Sequence, residues 1–171
     1  MLLLIVILFK GCIYRSCFSY KIIAARHAND LSVYSGNLSE YHSQKNAEEI
    51  IDFVLDTTAD LLSFTSGKCV TDGFHLLNGG KTNCIGYADL CSLKCRMEFR
   101  KNNLPQYVSG TYVAQIYFFG YNIHQLFKSP FWKDHDIIVV TNTTTGERTL
   151  LDPTLYDYTG VGIVSEKNKR N

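Results

Sequence analysis

The sequence predicts an α+β domain in which a helix packs on an antiparallel β-sheet. Residues 47–64 and 84–99 carry apolar side chains at the 3.6-residue spacing of a helix. Residues 106–118 alternate between two faces and are dominated by β-branched and aromatic side chains, which favours a strand. Residues 134–152 then predict two short strands joined by a polar turn, as in a hairpin.

The composition fits one folded domain. The chain has 171 residues, of which 46% are hydrophobic and 19% charged, so it can bury a core and is not disordered. Its formal net charge of +1 offers no electrostatic footprint for nucleic acid. The 6 cysteines include no CxxC pair, and Cys91 and Cys95 favour buried core thiols over a metal pair. We expect no cofactor and no metal.

The chain begins with a continuous apolar run from Met1 to Phe9. This run is too short for a spanning helix, which needs about 20 residues, but it matches the apolar part of a secretory signal. We therefore expect residues 1–20 to be a signal or an N-terminal anchor. Lipidation at Cys12, or a buried strand or helix, are the alternatives. Residues 21–46 are then an extension, as a linker or an edge element, and residues 47–171 are the domain.

Export of the chain would make it secreted, periplasmic or membrane-anchored, and without export it would be cytoplasmic. Membrane contact is expected only through the N-terminal apolar segment, if it is retained.

The two predicted helices have recognisable starts. Asn46 can cap the first helix, with Glu48 and Glu49 in its first turn, where the helix dipole favours negative charge. A loop with glycine breakers follows over residues 69–81. The second helix begins at Cys84, and Thr82 or Asn83 can cap it.

The strands follow in sequence. After residues 106–118 comes an aromatic-rich connection, residues 120–132, which lines a binding cleft or covers the core. A buried strand over residues 134–141, a turn over residues 142–146 and a returning strand over residues 147–152 form the hairpin. Pro153 ends the pairing because it offers no N–H.

Cys84 is the candidate nucleophile. Free N–H groups and the helix dipole favour negative charge at the first turn of a helix. A thiol placed there is expected to ionise more easily than a free one, and the thiolate is the reactive form. A nucleophilic cysteine also needs a base, a group that orients the base, and donors for the oxyanion.

His135 and Asp152 are the candidate base and orienting group. His135 opens one strand of the predicted hairpin and Asp152 closes the other. If the turn centres between Thr143 and Thr144, the two residues are directly opposed, with Cβ atoms ~5 Å apart. Asp152 could then hold the imidazole in one tautomer, as a catalytic triad requires.

Four segments in this order resemble the core of the transglutaminase-like superfamily, which are thiol enzymes of papain-like fold. The resemblance covers about residues 45–158. It rests on Asn83-Cys84-Ile85-Gly86-Tyr87-Ala88, Leu104-Pro105-Gln106-Tyr107-Val108-Ser109-Gly110, His135-Asp136 and Leu151-Asp152-Pro153-Thr154. It implies that Cys84 is the nucleophile, His135 the base and acid, and Asp152 the orienting group. The chain departs from the family at Asp136-Ile137, where relatives often have Ala and Trp.

The resemblance implies thiol-dependent acyl transfer on an amide of a protein or peptide substrate, most simply hydrolysis through an acyl-enzyme on Cys84. A papain-like peptidase is disfavoured, because its orienting residue is typically Asn. The alternative from another class is a catalytically silent domain that binds a protein or glycan. The backbone N–H of Cys84 is the natural first oxyanion donor. By position alone, Asn78 and His75 are candidates for the second.

Overall fold

The computed structural model describes residues 9–26 and 45–167. Four α-helices occur in these residues: α1 Lys10–Cys17, α2 Ala47–Leu61, α3 Cys84–Lys101 and α4 Pro153–Thr159. The strands are β1 Phe18–Ala25, β2 Leu62–Phe64, β3 Gly80–Thr82, β4 Tyr107–Phe118, β5 Tyr121–Asn122, β6 His135–Asn142, β7 Arg148–Leu151 and β8 Ile163–Val164. Short 3₁₀ helices lie at His75–Asn78, Ile123–Leu126 and Pro130–Trp132. The mixed α+β class is therefore confirmed.

The main sheet is antiparallel and has the strand order β1-β4-β6-β7-β8, with β5 paired to β4. Its two ends meet. The Tyr20 N–H donates to the Ser165 carbonyl at 2.8 Å, and the Lys167 N–H donates to the Tyr20 carbonyl at 2.7 Å. The first strand of the sheet thus joins the segment after its last strand, and the sheet closes on itself.

The sheet separates two apolar clusters, because successive side chains of a strand point to opposite faces. On the outer face, α2 and α3 pack through Ile50, Val54, Cys91, Cys95 and Phe99 against Ile138, Val140 and Leu151. Cys91 and Cys95 are fully buried there, as expected for core thiols. The inner cluster is formed by Tyr20, Ala114, Ile137, Val139, Leu150 and Val164.

Several predicted elements match the structure within a few residues. The capping box of Asn46 and Glu49 starts α2, and Asn83 caps α3. The first helix was predicted to continue to residue 64, but it ends at Leu61, because Leu62–Phe64 pairs with Gly80–Thr82 in a small parallel sheet. That pairing also places a strand at the end of the predicted loop.

The N-terminal part of the chain contributes to the packed domain. The sequence predicts a linker or an edge element over residues 21–46, and in the structure most residues of β1 pair with β4. Residues 1–8 and 27–44 lie outside the described residues. Within the described part of the chain, no helix is long and apolar enough to cross a membrane.

Candidate functional site

Cys84 lies at the first position of α3, where the helix end is tied to the loop before it. The Asn83 side chain accepts a hydrogen bond from the Ile85 N–H at 3.0 Å. The Thr82 hydroxyl donates to the Val70 carbonyl at 2.7 Å. Because α3 packs between α2 and the sheet, these two hydrogen bonds fix the position of the Cys84 thiol relative to the core. The orphan N–H groups of this helix end face the position of Cys84.

Gly86 allows this close approach. A Cβ built at Gly86 would lie 1.9 Å from Thr82 Oγ1 and 2.9 Å from a methyl carbon of Leu76. Any side chain here would therefore push the helix away from the strand that precedes it. The glycine two residues after Cys84 is thus explained by packing behind the thiol.

The structure brings His135 and Asp152 together, but in a different register from the one predicted. The hairpin pairs Ile138 with Leu151 and Thr141 with Arg148, so its turn centres between Thr144 and Thr145. The prediction of direct opposition was therefore wrong by two residues. Because a two-residue shift keeps side chains on the same face, Asp152 still reaches His135. His135 Nε2 lies 2.9 Å from Asp152 Oδ2.

Asp152 is buried, with 1% of its surface exposed, and its carboxylate is well supported. It follows β7 and caps α4, where Oδ1 accepts the Leu155 N–H at 2.9 Å. Oδ2 accepts the Tyr20 hydroxyl at 2.8 Å as well as His135 Nε2. Although burial favours the neutral acid, the nearby His135 and these hydrogen bonds lower the pKa of Asp152 below its ordinary value.

His135 faces both Asp152 and Cys84. Because a carboxylate only accepts, Nε2 carries the proton of the hydrogen bond to Asp152. Burial favours the neutral imidazole, but the charge of Asp152 and the hydrogen bonds with Asp152 and Cys84 outweigh it and raise the pKa of His135 well above its ordinary value. Nδ1 is the ring atom left for the thiol. The structure thus brings all three predicted residues to one place.

Asp136 is the second charged neighbour of Cys84. It follows His135 at the start of β6 and is 1% exposed. Cys84 Sγ lies 3.8 Å from its Oδ2. The guanidinium of Arg26 forms an ion pair with Asp136 through Nε and a second contact of 3.2 Å through Nη2. Because Arg26 balances Asp136, the thiol is not exposed to an uncompensated negative charge.

A cleft of about 480 Å³ opens beside this ion pair. Its lining includes Arg26, Asp72, Ile85, Asp89, Thr111 and Val113, and Ile85 directly follows Cys84 in the chain. Arg26 therefore connects the cleft to Asp136, and through it to Cys84.

The structure bears differently on the two candidates for a second oxyanion donor, His75 and Asn78. The His75 side chain is 78% exposed, and its Nδ1 lies 3.0 Å from Asp72 Oδ1. It is therefore oriented by its own loop, which does not favour a role at the thiol. Asn78 ends the same 3₁₀ helix, and its role stays a prediction.

Two contacts of the site were not anticipated from the sequence. Tyr20 binds Asp152, and Arg26 binds Asp136. Both belong to the N-terminal segment, whose weak periodicity offered no motif. The available signal was the alternation of Tyr20 and Ile22 with Ser19 and Lys21, which is typical of a strand but says nothing of a site.

Comparisons with models of protein families, with curated proteins and with solved structures each find no match to this chain. In the described residues, no group of three or more His, Cys, Asp and Glu side chains is arranged to hold a metal ion. The interpretation of the site therefore depends on its own geometry.

Proposed function

We propose that this protein is a thiol-dependent acyl-transfer enzyme that acts on amide bonds of a protein or peptide, with hydrolysis as the default reaction. One observation carries the proposal. A cysteine at the start of a packed helix lies close enough to a partly buried histidine to raise the pKa of its imidazole, and Nε2 of this histidine lies 2.9 Å from a buried carboxylate. A nucleophile next to a base, and a base next to the group that orients it, are the arrangement of a catalytic triad.

Each residue has a defined part in the proposed reaction. The Cys84 thiolate attacks the amide carbonyl carbon, and the oxyanion forms near the N–H groups at the start of α3. The protonated His135 donates its proton to the leaving amine nitrogen as the C–N bond breaks. This leaves a thioester on Cys84. His135 then takes a proton from water as the water oxygen attacks the thioester carbon. The C–S bond breaks and a carboxylic acid leaves, which returns Cys84 to the thiolate and His135 to its protonated form.

The same geometry supports a transglutaminase-like core of papain-like fold as the finer assignment. The order of Cys84, His135 and Asp152 along the chain fits that family, as does their placement on a helix start, a strand start and the end of the next strand. In this family an amine can replace water as the acyl acceptor, which would give cross-linking. Our proposal places hydrolysis first because water is always present.

Selective alkylation tests the proposal. With limiting iodoacetamide on the native full-length chain, Cys84 is expected to react well before Cys69. Both are partly exposed, so Cys69 is the matched control, whereas Cys91 and Cys95 are protected by burial alone. His135→Gln is expected to slow Cys84 and leave Cys69 unchanged. Equal rates at Cys84 and Cys69 in the wild type would contradict an activated thiol.

One observation favours the alternative, a silent domain that binds a protein or glycan. Five aromatic rings form a continuous row in the order Tyr158, Phe64, Phe131, Trp132 and Phe127, with successive ring centres 4.8–6.4 Å apart. Tyr158 is 68% exposed, and Trp132 and Phe127 are also exposed. Such a row can hold a ligand without any reaction. An unreactive Cys84 in the alkylation experiment would favour this function.

A further inference from the structure

We infer that Tyr20, supported by Tyr14, is a positioning residue of the site that holds the Asp152 carboxylate in the orientation needed by His135. The inference rests on the proposed function for its kinetic consequences, but its structural content is independent. The Tyr20 hydroxyl lies 2.8 Å from Asp152 Oδ2 and 2.7 Å from the Tyr14 hydroxyl. The two tyrosines thus extend the contacts of His135 and Asp152 by two further groups.

The direction of the hydrogen bonds in this chain is fixed by chemistry. An ionised carboxylate only accepts, so the single hydroxyl proton of Tyr20 points at Asp152. Tyr14 must then donate its own proton to the Tyr20 oxygen. Each bond therefore directs a donor toward the carboxylate. Hydrogen bonds that point the same way polarise one another, which strengthens the contact at Asp152.

Tyr20 shares one carboxylate oxygen with the imidazole. Oδ2 accepts from both Tyr20 and His135, while Oδ1 accepts the Leu155 N–H. With three donors at defined positions, the carboxylate cannot rotate without breaking at least one bond. The rings of Tyr20 and His135 also lie next to each other, with centres 6.4 Å apart. Tyr20 therefore restricts both members of the pair.

The surroundings make Tyr20 a rigid donor. Its side chain is fully buried, and its backbone is held on one side by β4 and on the other by Ser165 and Lys167. Burial and the neighbouring Asp152 raise the pKa of Tyr20, and burial raises that of Tyr14 to about 12. Both hydroxyls consequently keep their protons across the working range of the site.

Three phenylalanine variants test this inference kinetically. The probe is iodoacetamide on the full chain, and the readout is the rate at Cys84 as a function of pH. Tyr20→Phe is expected to slow Cys84 by about tenfold at neutral pH, the loss of one hydrogen bond to a charged group. Tyr14→Phe is expected to slow it by about threefold, since it removes a bond between neutral groups.

Tyr87→Phe is the matched control. Tyr87 is also buried, and its hydroxyl donates to a carboxylate, that of Asp157, at 2.6 Å. This bond does not touch Asp152 or His135. The rate at Cys84 is expected to stay within about twofold of the wild type. A loss at Cys84 as large in Tyr87→Phe as in Tyr20→Phe would overturn the positioning role, because a general loss of stability would then explain both.

A second readout separates this inference from the proposed function. The Asp152 carboxyl carbon can be titrated by NMR, whatever the reactivity of Cys84. Because the Tyr20 hydroxyl favours the ionised form, Tyr20→Phe should raise the titration midpoint of Asp152, and Tyr14→Phe should raise it by less. A folded Tyr20→Phe with an unchanged midpoint overturns the inference. If Tyr20→Phe does not fold, an unchanged titration midpoint of Asp152 in Tyr14→Phe overturns the inference. Equal alkylation of Cys84 and Cys69 would contradict only the proposed function.

Discussion

Two regions of the chain form the site, and they differ in how clearly their sequence patterns indicate it. Residues 84–152 supply Cys84, His135 and Asp152, each at the start or end of a helix or strand with a clear sequence pattern. Residues 10–26 supply Tyr14, Tyr20 and Arg26. These side chains do not belong to any motif. They act on the other region only because β1 pairs with β4 and its residues meet the segment after β8.

The side chains proposed to react differ from the side chains that hold them in how far the sequence reveals them. The groups proposed to react lie at the ends of helices and strands, where caps, breakers and strand starts can be recognised in the sequence. Supporting groups depend on tertiary contact alone. The sequence predicts a signal or an N-terminal anchor over residues 1–20, and this assignment stays a prediction. Since Tyr14 and Tyr20 lie within this segment, a cleavage that removed all of it would also remove two groups that contact the site.

The largest expected effect is at Asp152, which joins the two regions. Asp152→Ala would remove the cap of α4 and leave the partly buried imidazolium of His135 without its partner. We expect the free energy of unfolding to fall by about 3–5 kcal/mol, measured by urea denaturation near neutral pH. Asp152→Asn keeps an acceptor for the Leu155 N–H and should cost less, while still slowing alkylation of Cys84.

Asp157→Ala is the control for Asp152. Asp157 lies in α4 and also accepts a tyrosine hydroxyl, but it is partly exposed and does not contact His135. We expect it to cost about 1–2 kcal/mol. A loss for Asp152→Ala no larger than for Asp157→Ala would show that the imidazolium pair does not contribute to stability as described.

Arg26 tests the N-terminal region directly. Arg26→Met would leave Asp136 buried beside Cys84 without its cation. We expect a loss of about 2–3 kcal/mol, below the full value for a buried pair because the Arg26 side chain is 38% exposed. Arg148→Met removes a solvent-exposed ion pair with Glu166 and should cost no more than about 0.5 kcal/mol. Urea denaturation of both variants measures the difference.

A double variant removes the charge of residue 136 as well as that of Arg26. Combining Arg26→Met with Asp136→Asn should recover part of the lost stability, since no unpaired charge then remains. Cys84 alkylation should be slowed more by Arg26→Met than by the double variant. A double variant less stable than Arg26→Met would contradict the view that Arg26 acts by balancing Asp136.

The pH dependence of stability is the third test. His135 binds its proton more tightly in the folded chain than in the unfolded one, where its pKa is near 6.5. Its contribution is therefore complete below that value and is lost as pH rises through the raised pKa. Asp152 behaves oppositely, because its contribution is present above its ordinary pKa of 3.8 and is lost as pH falls through the lowered one.

We therefore expect the wild type to exceed His135→Gln in stability by more at about pH 6 than at about pH 9, measured by urea denaturation at both values. His75→Gln is the control, because His75 also contacts an aspartate but its side chain is 78% exposed. Its difference from the wild type should be small at both values. A gap for His135→Gln that widens with rising pH would contradict the assigned direction.

The same division explains how much could be predicted from the sequence. The caps at Asn46 and Asn83 and the alternation over β4 are local, and the structure confirms these elements. The two-residue shift of the hairpin was not predictable, because the polar turn of threonines allows more than one centre. The end of α2 at Leu61 is set by the pairing of β2 with β3, a contact invisible to periodicity. Tyr20 and Arg26 were missed for the same reason.

The smallest expected effect concerns the two asparagine caps. Asn46 and Asn83 each accept a backbone N–H at 3.0 Å, at the starts of α2 and α3. Replacing either by Ala should cost about 1 kcal/mol in unfolding experiments. Only Asn83→Ala should also slow alkylation of Cys84, because only that cap fixes the helix end that carries the thiol. Equal alkylation in the two variants would show that the thiol is positioned by packing, including that of Gly86 on Thr82, rather than by its cap.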